Sequence, residues 1–139
     1  MRIITLAGVA AIVLLVVGVM LVEEGEVVTL TTVDDRGHDA ATGLWVVDID
    51  AASYLRAVSP DSEWLERTRA HPEAELQRGG VTSKVRAVIV PDASVIAAVN
   101  RAMRDKYGLV DATVVRLIDH SRAVAIRVEP LELARRATP

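Results

Sequence analysis

Ile3 to Val22 is an uncharged run of 20 residues whose only polar member is Thr5. At about 1.5 Å of rise per residue, a helix of that length covers roughly 30 Å, the thickness of a bilayer's hydrocarbon core. Gly8 and Gly18 do not forbid such a helix, because lipid offers the backbone no alternative to helical hydrogen bonding. A cleaved secretory signal is the rival reading. Its apolar core usually runs about 7–15 residues and ends in a small-x-small site. Here Val19-Met20-Leu21-Val22 leads directly into Glu23-Glu24. The sequence is therefore read as an uncleaved transmembrane helix over residues 1–22 followed by a soluble domain over residues 23–139. Arg2 precedes the run and the first basic residue after it is Arg36. The positive-inside rule then puts the domain outside the cytoplasm, on a bias of about one charge that leaves the cytoplasmic face open. The expected location is the cell membrane, single-pass, with the lipid bilayer met through residues 3–22.

The chain has 139 residues, enough for one domain and too few for two ordinary ones. It contains no cysteine, which excludes disulfides, thiolate catalysis and Cys-ligated metal sites. Without Arg2, the region from Glu23 onward carries 15 basic and 19 acidic residues, net −4. Nucleic-acid-binding domains usually carry a basic excess, so none is expected as a partner.

Periodicity divides this region coarsely. Val27 to Val33 is rich in β-branched residues and runs into the turn Asp34-Asp35-Arg36-Gly37. Thr42 to Ile49 reads as a second strand, Asp50-Ala51-Ala52 as a tight turn, and Tyr54 to Val58 as a third strand. Asp61 or Ser62 can cap a short helix over Glu63 to Ala70, which Pro72 cannot continue. Trp64, Leu65 and Thr68 share its inner face. Ala74 to Arg78, Gly79-Gly80 and Thr82 to Val90 form a hairpin. Asp92 caps a longer helix to about Tyr107, with Ile96, Val99, Met103 and Tyr107 on one stripe and Gly108 as its stop. Asp111 to His120 fits a helix by spacing, against the preference of its β-branched residues. Arg122 to Val128 alternates as a final strand. The fold class is α+β: a small, mostly antiparallel barrel with two or three helices.

In order, Val28-Thr29-Leu30-Thr31-Thr32, Thr42-Gly43-Leu44-Trp45-Val46-Val47, Tyr54-Leu55-Arg56-Ala57-Val58-Ser59 and Ser62-Glu63-Trp64-Leu65 precede Ala70-His71-Pro72-Glu73-Ala74-Glu75-Leu76 and Gly79-Gly80. This series resembles the split-barrel flavin-binding superfamily of pyridoxamine 5′-phosphate oxidase-like proteins, nearest its small deazaflavin-dependent nitroreductase-like branch. The similarity covers about half of the region after Glu23, and its weight lies in the order of elements. It implies a split β-barrel, a homodimer, and a flavin at the subunit interface whose cofactor performs the hydride chemistry. It further implies that Thr42 and Leu44 line the ring edge, that Arg56, Ser59 and Ser62 face the phosphate or ribityl chain, and that Trp64 packs beneath the ring. Lys84 is a second candidate for the phosphate. The sequence departs from the branch at the turn after the first strand, where Asp34, Asp35 and Asp39 stand in place of basic residues. Carboxylates repel a phosphate, so FMN, or no cofactor, fits better than a deazaflavin with a polyanionic tail.

Each feature also has a plain structural explanation. Arg56 can be a solvated strand residue, Trp64 a core anchor, and Lys84 and Arg86 a solvated strand face. Trp45, Tyr54 and Trp64 lie within 20 residues, as a pocket would need and as an aromatic-poor core would also produce. A polar hairpin tip accounts for Asp34, Asp35, His38 and Asp39 without a metal. His71 and His120 have no partner at a recognisable spacing, and no catalytic residue can be assigned. The functional expectation is thus a membrane-anchored split-barrel protein binding FMN or a related flavin, an oxidoreductase if an enzyme. A cofactor-free binding or structural module with the same fold is the alternative.

Overall fold

The computed structural model describes residues 26–117 and 122–132. Six strands close into an all-antiparallel barrel in the order β1-β2-β3-β6-β5-β4. They are β1 (Val27–Val33), β2 (Asp39–Ile49), β3 (Ala52–Ala57), β4 (Glu73–Arg78), β5 (Val81–Val90) and β6 (Val124–Pro130). Helix α1 (Glu63–Ala70) joins β3 to β4, and α2 (Ala93–Leu117) follows β5.

Two hairpins are closed by two-residue turns with both residues left-handed. Gly79 (φ 57°) and Gly80 (φ 77°) lie between paired Arg78 and Val81, and Asp50 (φ 49°) and Ala51 (φ 65°) between paired Ile49 and Ala52. Such turns match the twist of the flanking strands, and glycine adopts them without the Cβ clash that alanine meets. Between β1 and β2 the Asp34 carboxylate accepts from the backbone N–H groups of Arg36 and His38, both at 2.8 Å. The turn there is shorter than the sequence suggests, because β2 already begins at Asp39, opposite Val33.

Alternation along the strands sorts side chains into two cores. Val28, Leu30, Val46, Leu55, Leu76, Val85, Ile126 and Val128 point into the barrel, joined by Trp64 and Leu65 from α1. Val47 and Ala125 point outward and are covered by Val99, Met103 and Tyr107 of α2, with Trp45, Ile49 and Tyr54 beside them. The apolar stripe on α2 is thus the one the sequence marks. The helix breaks at Gly108 (φ 56°, ψ −127°), as expected, and a second helical stretch continues to Leu117.

Two expectations are corrected. Ser62 is the N-cap of α1 but makes no capping bond: its hydroxyl donates to Ser59 O at 2.8 Å, within the preceding turn. The membrane location is also corrected, because among the described residues no helix is long and apolar enough to cross a membrane. Residues 3–22, on which that expectation rested, lie outside the described residues.

Candidate functional site

Two regions of the barrel differ in their chemistry. At one end Arg78, last residue of β4, forms a double fork. Its NH1 and NH2 donate to Asp48 Oδ1 and Oδ2 at 2.9 and 2.8 Å, and Nε and NH2 donate to Glu26 Oε2 and Oε1 at 2.9 and 3.0 Å. Ser53 Oγ donates to Asp48 Oδ1 at 2.6 Å and Lys106 Nζ to Glu26 Oε1 at 2.7 Å. The Arg78 guanidinium, then the Ser53 hydroxyl, pull the Asp48 carboxyl down to about 2. Arg78 and Lys106 lower Glu26 in the same way.

Tyr107 completes this end. Backbone groups of Val46 extend beyond the first residue of β1, and the Tyr107 hydroxyl takes the place of a strand. It accepts from Val46 N–H at 3.0 Å, and its proton has Glu26 O at 2.7 Å and Val46 O at 2.9 Å within reach. The Tyr107 ring stacks on Trp45 with centroids 4.4 Å apart and an 8° tilt. Every polar group is engaged, so this end is a closure rather than a site.

The wall between β2 and β3 is apolar and open. β2 and β3 pair only from Val46 opposite Leu55 to Ile49 opposite Ala52; beyond Val46, β2 pairs with β1 alone and β3 with β6 alone. The strands part there and leave a cleft of about 230 Å³, lined by Gly43, Leu44, Trp45, Arg56, Val58, Trp64 and Met103. Arg56 is 8% exposed, and its NH1 donates to Asn100 Oδ1 of α2 at 3.2 Å. A guanidinium desolvated against indole and thioether walls is costly unless hydrogen-bonded, and Asn100 supplies one such bond. The cleft can therefore hold a flat apolar group against Trp45, Trp64 and Met103, with a positive charge at its wall.

Of the seven candidate residues, the structure brings Leu44, Arg56 and Trp64 together on this cleft. Thr42 lies on β2 just beyond it, half-buried and paired with Leu30. Ser59 and Ser62 sit in the turn before α1, bonded to one another, with Ser59 Oγ also accepting from Asp61 N–H at 3.2 Å. Lys84 is elsewhere: it lies exposed on β5, opposite Glu75, and lines a separate cavity of about 190 Å³ with Thr31, Asp39, Glu73 and Glu75. The carboxylates of the 34–39 turn lie off the cleft as well, since Asp39 borders that second cavity and Asp35 Oδ1 meets His71 Nε2 at 3.2 Å.

Gly43, Trp45, Val58 and Met103 join the lining without having been singled out for it. The one signal in the sequence was the concentration of aromatic residues, since both tryptophans of the chain lie on this cleft. Met103 stands on a helical stripe that reads as ordinary core. Among the described residues, no three His, Asp or Glu side chains form a group able to hold a metal.

A six-stranded antiparallel barrel that parts between two neighbouring strands, with a helix over the opening, is the split barrel of pyridoxamine 5′-phosphate oxidase-like proteins. Solved structures share it. A candidate pyridoxamine 5′-phosphate oxidase of Listeria innocua superposes with a TM-score of 0.59 at 16% identity, over 81% of this chain and 89% of that one. An F420 reductase gives 0.54 at 18%, over 80% and 90%. HutZ, a heme storage protein of Vibrio cholerae, gives 0.59 at 15%, over 80% and 85%. Within this fold the chain belongs to the family described as an uncharacterized protein conserved in bacteria (DUF2255), whose sequence model matches residues 20–128. No curated protein matches the chain.

Proposed function

We propose that the chain binds FMN or a related flavin in the cleft between β2 and β3 and, so loaded, acts as an oxidoreductase. The observation that carries the reading is the meeting of Leu44, Arg56 and Trp64 on one apolar cleft. The likeness to proteins named as an F420 reductase and a pyridoxamine 5′-phosphate oxidase supports it at the level of the fold. A bound flavin would supply the electron transfer, and the chain would supply position and exclusion of water. Trp64, Leu44 and Met103 offer the ring system apolar surface, and Arg56 offers its phosphate or an electron-rich ring edge a positive charge.

About 230 Å³ is below the roughly 300 Å³ at which ligand pockets usually begin, so part of a mononucleotide would lie beyond the cleft. A second copy of the chain is the partner we assign to cover that part. The same volume favours the other reading, a cofactor-free binding module taking a smaller ligand.

An absorbance titration of the purified full chain with FMN separates them. Bound flavin at about one per chain, with affinity reduced about tenfold or more in Arg56→Ala, is expected for loss of a charge-assisted contact. A variant with unchanged affinity removes Arg56 from the site. A wild-type chain that leaves the FMN spectrum unmoved leaves the cofactor-free module.

A further inference from the structure

Trp45 borders the cleft, yet the sheet supports it from one side only. A residue inside a sheet is ordinarily held by cross-strand neighbours to both sides. Trp45 has Val27 of β1 and no partner on β3, because β2 and β3 pair only from Val46 onward. Val27 is itself 56% exposed and is the first residue of its strand. The second support comes from the helix. The Tyr107 ring on α2 stacks on the indole, with centroids 4.4 Å apart and 8° between the planes. That ring is fixed in turn: it is 6% exposed, packed in the outer core with Val47, Val99, Met103 and Ala125. Lys106 Nζ lies 5.4 Å from its centroid.

We infer that Tyr107 is a positioning residue for the cleft: its hydroxyl serves the closure of the barrel, while its ring fixes the Trp45 indole as a wall of the binding site. The inference rests on the proposed reading of the cleft as a binding site and not on the ligand's being a flavin. A wall residue holds a ligand well only where its neighbours lock its rotamer. The Tyr107 hydroxyl meets backbone groups of Glu26 and Val46, neither of which lines the cleft. The ring meets a residue that does. Removing the hydroxyl and removing the ring are therefore expected to act on different things.

The test uses the full chain and three variants. Tyr107→Phe keeps the ring, Tyr107→Met fills much of the space without one, and Trp45→Leu removes the indole that the ring holds. Thermal unfolding reads the fold, and titration calorimetry with FMN and with the smaller ring anion naphthalene-1-sulfonate reads the site. Tyr107→Phe is expected to melt below the wild type and still bind within about twofold of it. Tyr107→Met should bind about tenfold more weakly, the upper range of what one stacked aromatic pair contributes, and Trp45→Leu at least as weakly as that. Because the phenylalanine variant is destabilised too, this pattern separates a positioning role from a general loss of stability. The same pattern with naphthalenesulfonate, in a wild type that does not bind FMN, would end the flavin reading and support the role of Tyr107. A tenfold loss in Tyr107→Phe overturns the inference, since the hydroxyl would then serve the site. So does unchanged affinity in Tyr107→Met or in Trp45→Leu, the latter deciding the matter should the methionine variant not fold. A wild type that binds neither probe overturns it together with the reading of the cleft.

Discussion

Two regions of the barrel meet the same helix in opposite ways. Tyr107 and Met103 lie one turn apart on the buried stripe of α2. Around Tyr107 the barrel is sealed by hydrogen bonds, the Arg78 fork and the Lys106 ammonium. Around Met103 it is lined mostly by apolar side chains and left open, with Arg56, which donates to Asn100, at its wall. A fully satisfied polar network holds one arrangement and has nothing left to offer a ligand. An apolar cleft with a charge at its wall is stable enough to persist and still has surface to bury. The region held by the Arg78 fork is thus the structural one, and the region that reads as ordinary core carries the candidate site.

The largest effect should come from the apolar cleft. Met103 is fully buried, and Met103→Ala is expected to cost about 3 kcal/mol, from lost burial plus the cavity left behind. Urea unfolding of the purified chain measures it. A cost below about 1 kcal/mol would mean that the cleft collapses on truncation and is less rigid than its walls suggest.

One turn along, Tyr107→Phe keeps the ring stacked on Trp45 and removes only the hydroxyl. Val46 N–H then loses its acceptor and Glu26 O its donor, while Lys106 still reaches Val46 O at 2.8 Å. Leaving buried backbone groups unsatisfied should cost about 2 kcal/mol. Hydrogen exchange should show the loss as faster exchange at the Val46 amide, with Gly43 and Leu44 unaffected. A spread of the change into the cleft would break the separation of the two regions.

The charge fork should weigh less and depend on pH. Asp48 and Glu26 are held below their ordinary carboxyl values by Arg78, so their share of stability is complete above about pH 5 and is lost as pH falls toward 2. Both carboxylates are more than a third exposed, which screens the interaction and limits the gain to about 1 kcal/mol. Arg78→Met should lose that amount at pH 7 and show a flatter fall in stability between about pH 5 and 2. Parallel curves for the two proteins would assign the acid sensitivity to other carboxylates.

Strand alternation and turn residues made most of the barrel legible: β1, α1, the β4–β5 hairpin and the break at Gly108 all stand within a few residues of their sequence-based limits. The site was legible in part. Leu44, Arg56 and Trp64 meet on the cleft, but Lys84 does not, because a resemblance fixes which strand a residue occupies and not which way that face of a barrel points. The fork of Arg78, Glu26 and Asp48 was invisible for a related reason. Its members are 22 to 52 positions apart and come together only when the barrel closes. Val58 and Met103 were hidden because an apolar residue reads the same whether it faces another side chain or an open cleft.

The smallest predicted effect concerns the turn at Asp50-Ala51. Asp50-Ala51 adopts the same left-handed pair as Gly79-Gly80, at the same end of the barrel, yet places a Cβ where the backbone disfavours one. Ala51→Gly relieves that clash and gives back some of the gain by loosening the unfolded chain, so the net change is a stabilisation of about 0.5 kcal/mol. Differential scanning calorimetry of the two proteins at matched concentration resolves a shift of that size. Because the turn hands Asp48 to Ser53 across β2 and β3, the variant should leave the Arg78 fork and its pH dependence unchanged. A destabilised Ala51→Gly would mean that the turn does not hold Ala51 left-handed, and that the polar end is closed by something other than two matching hairpins and the arginine between them.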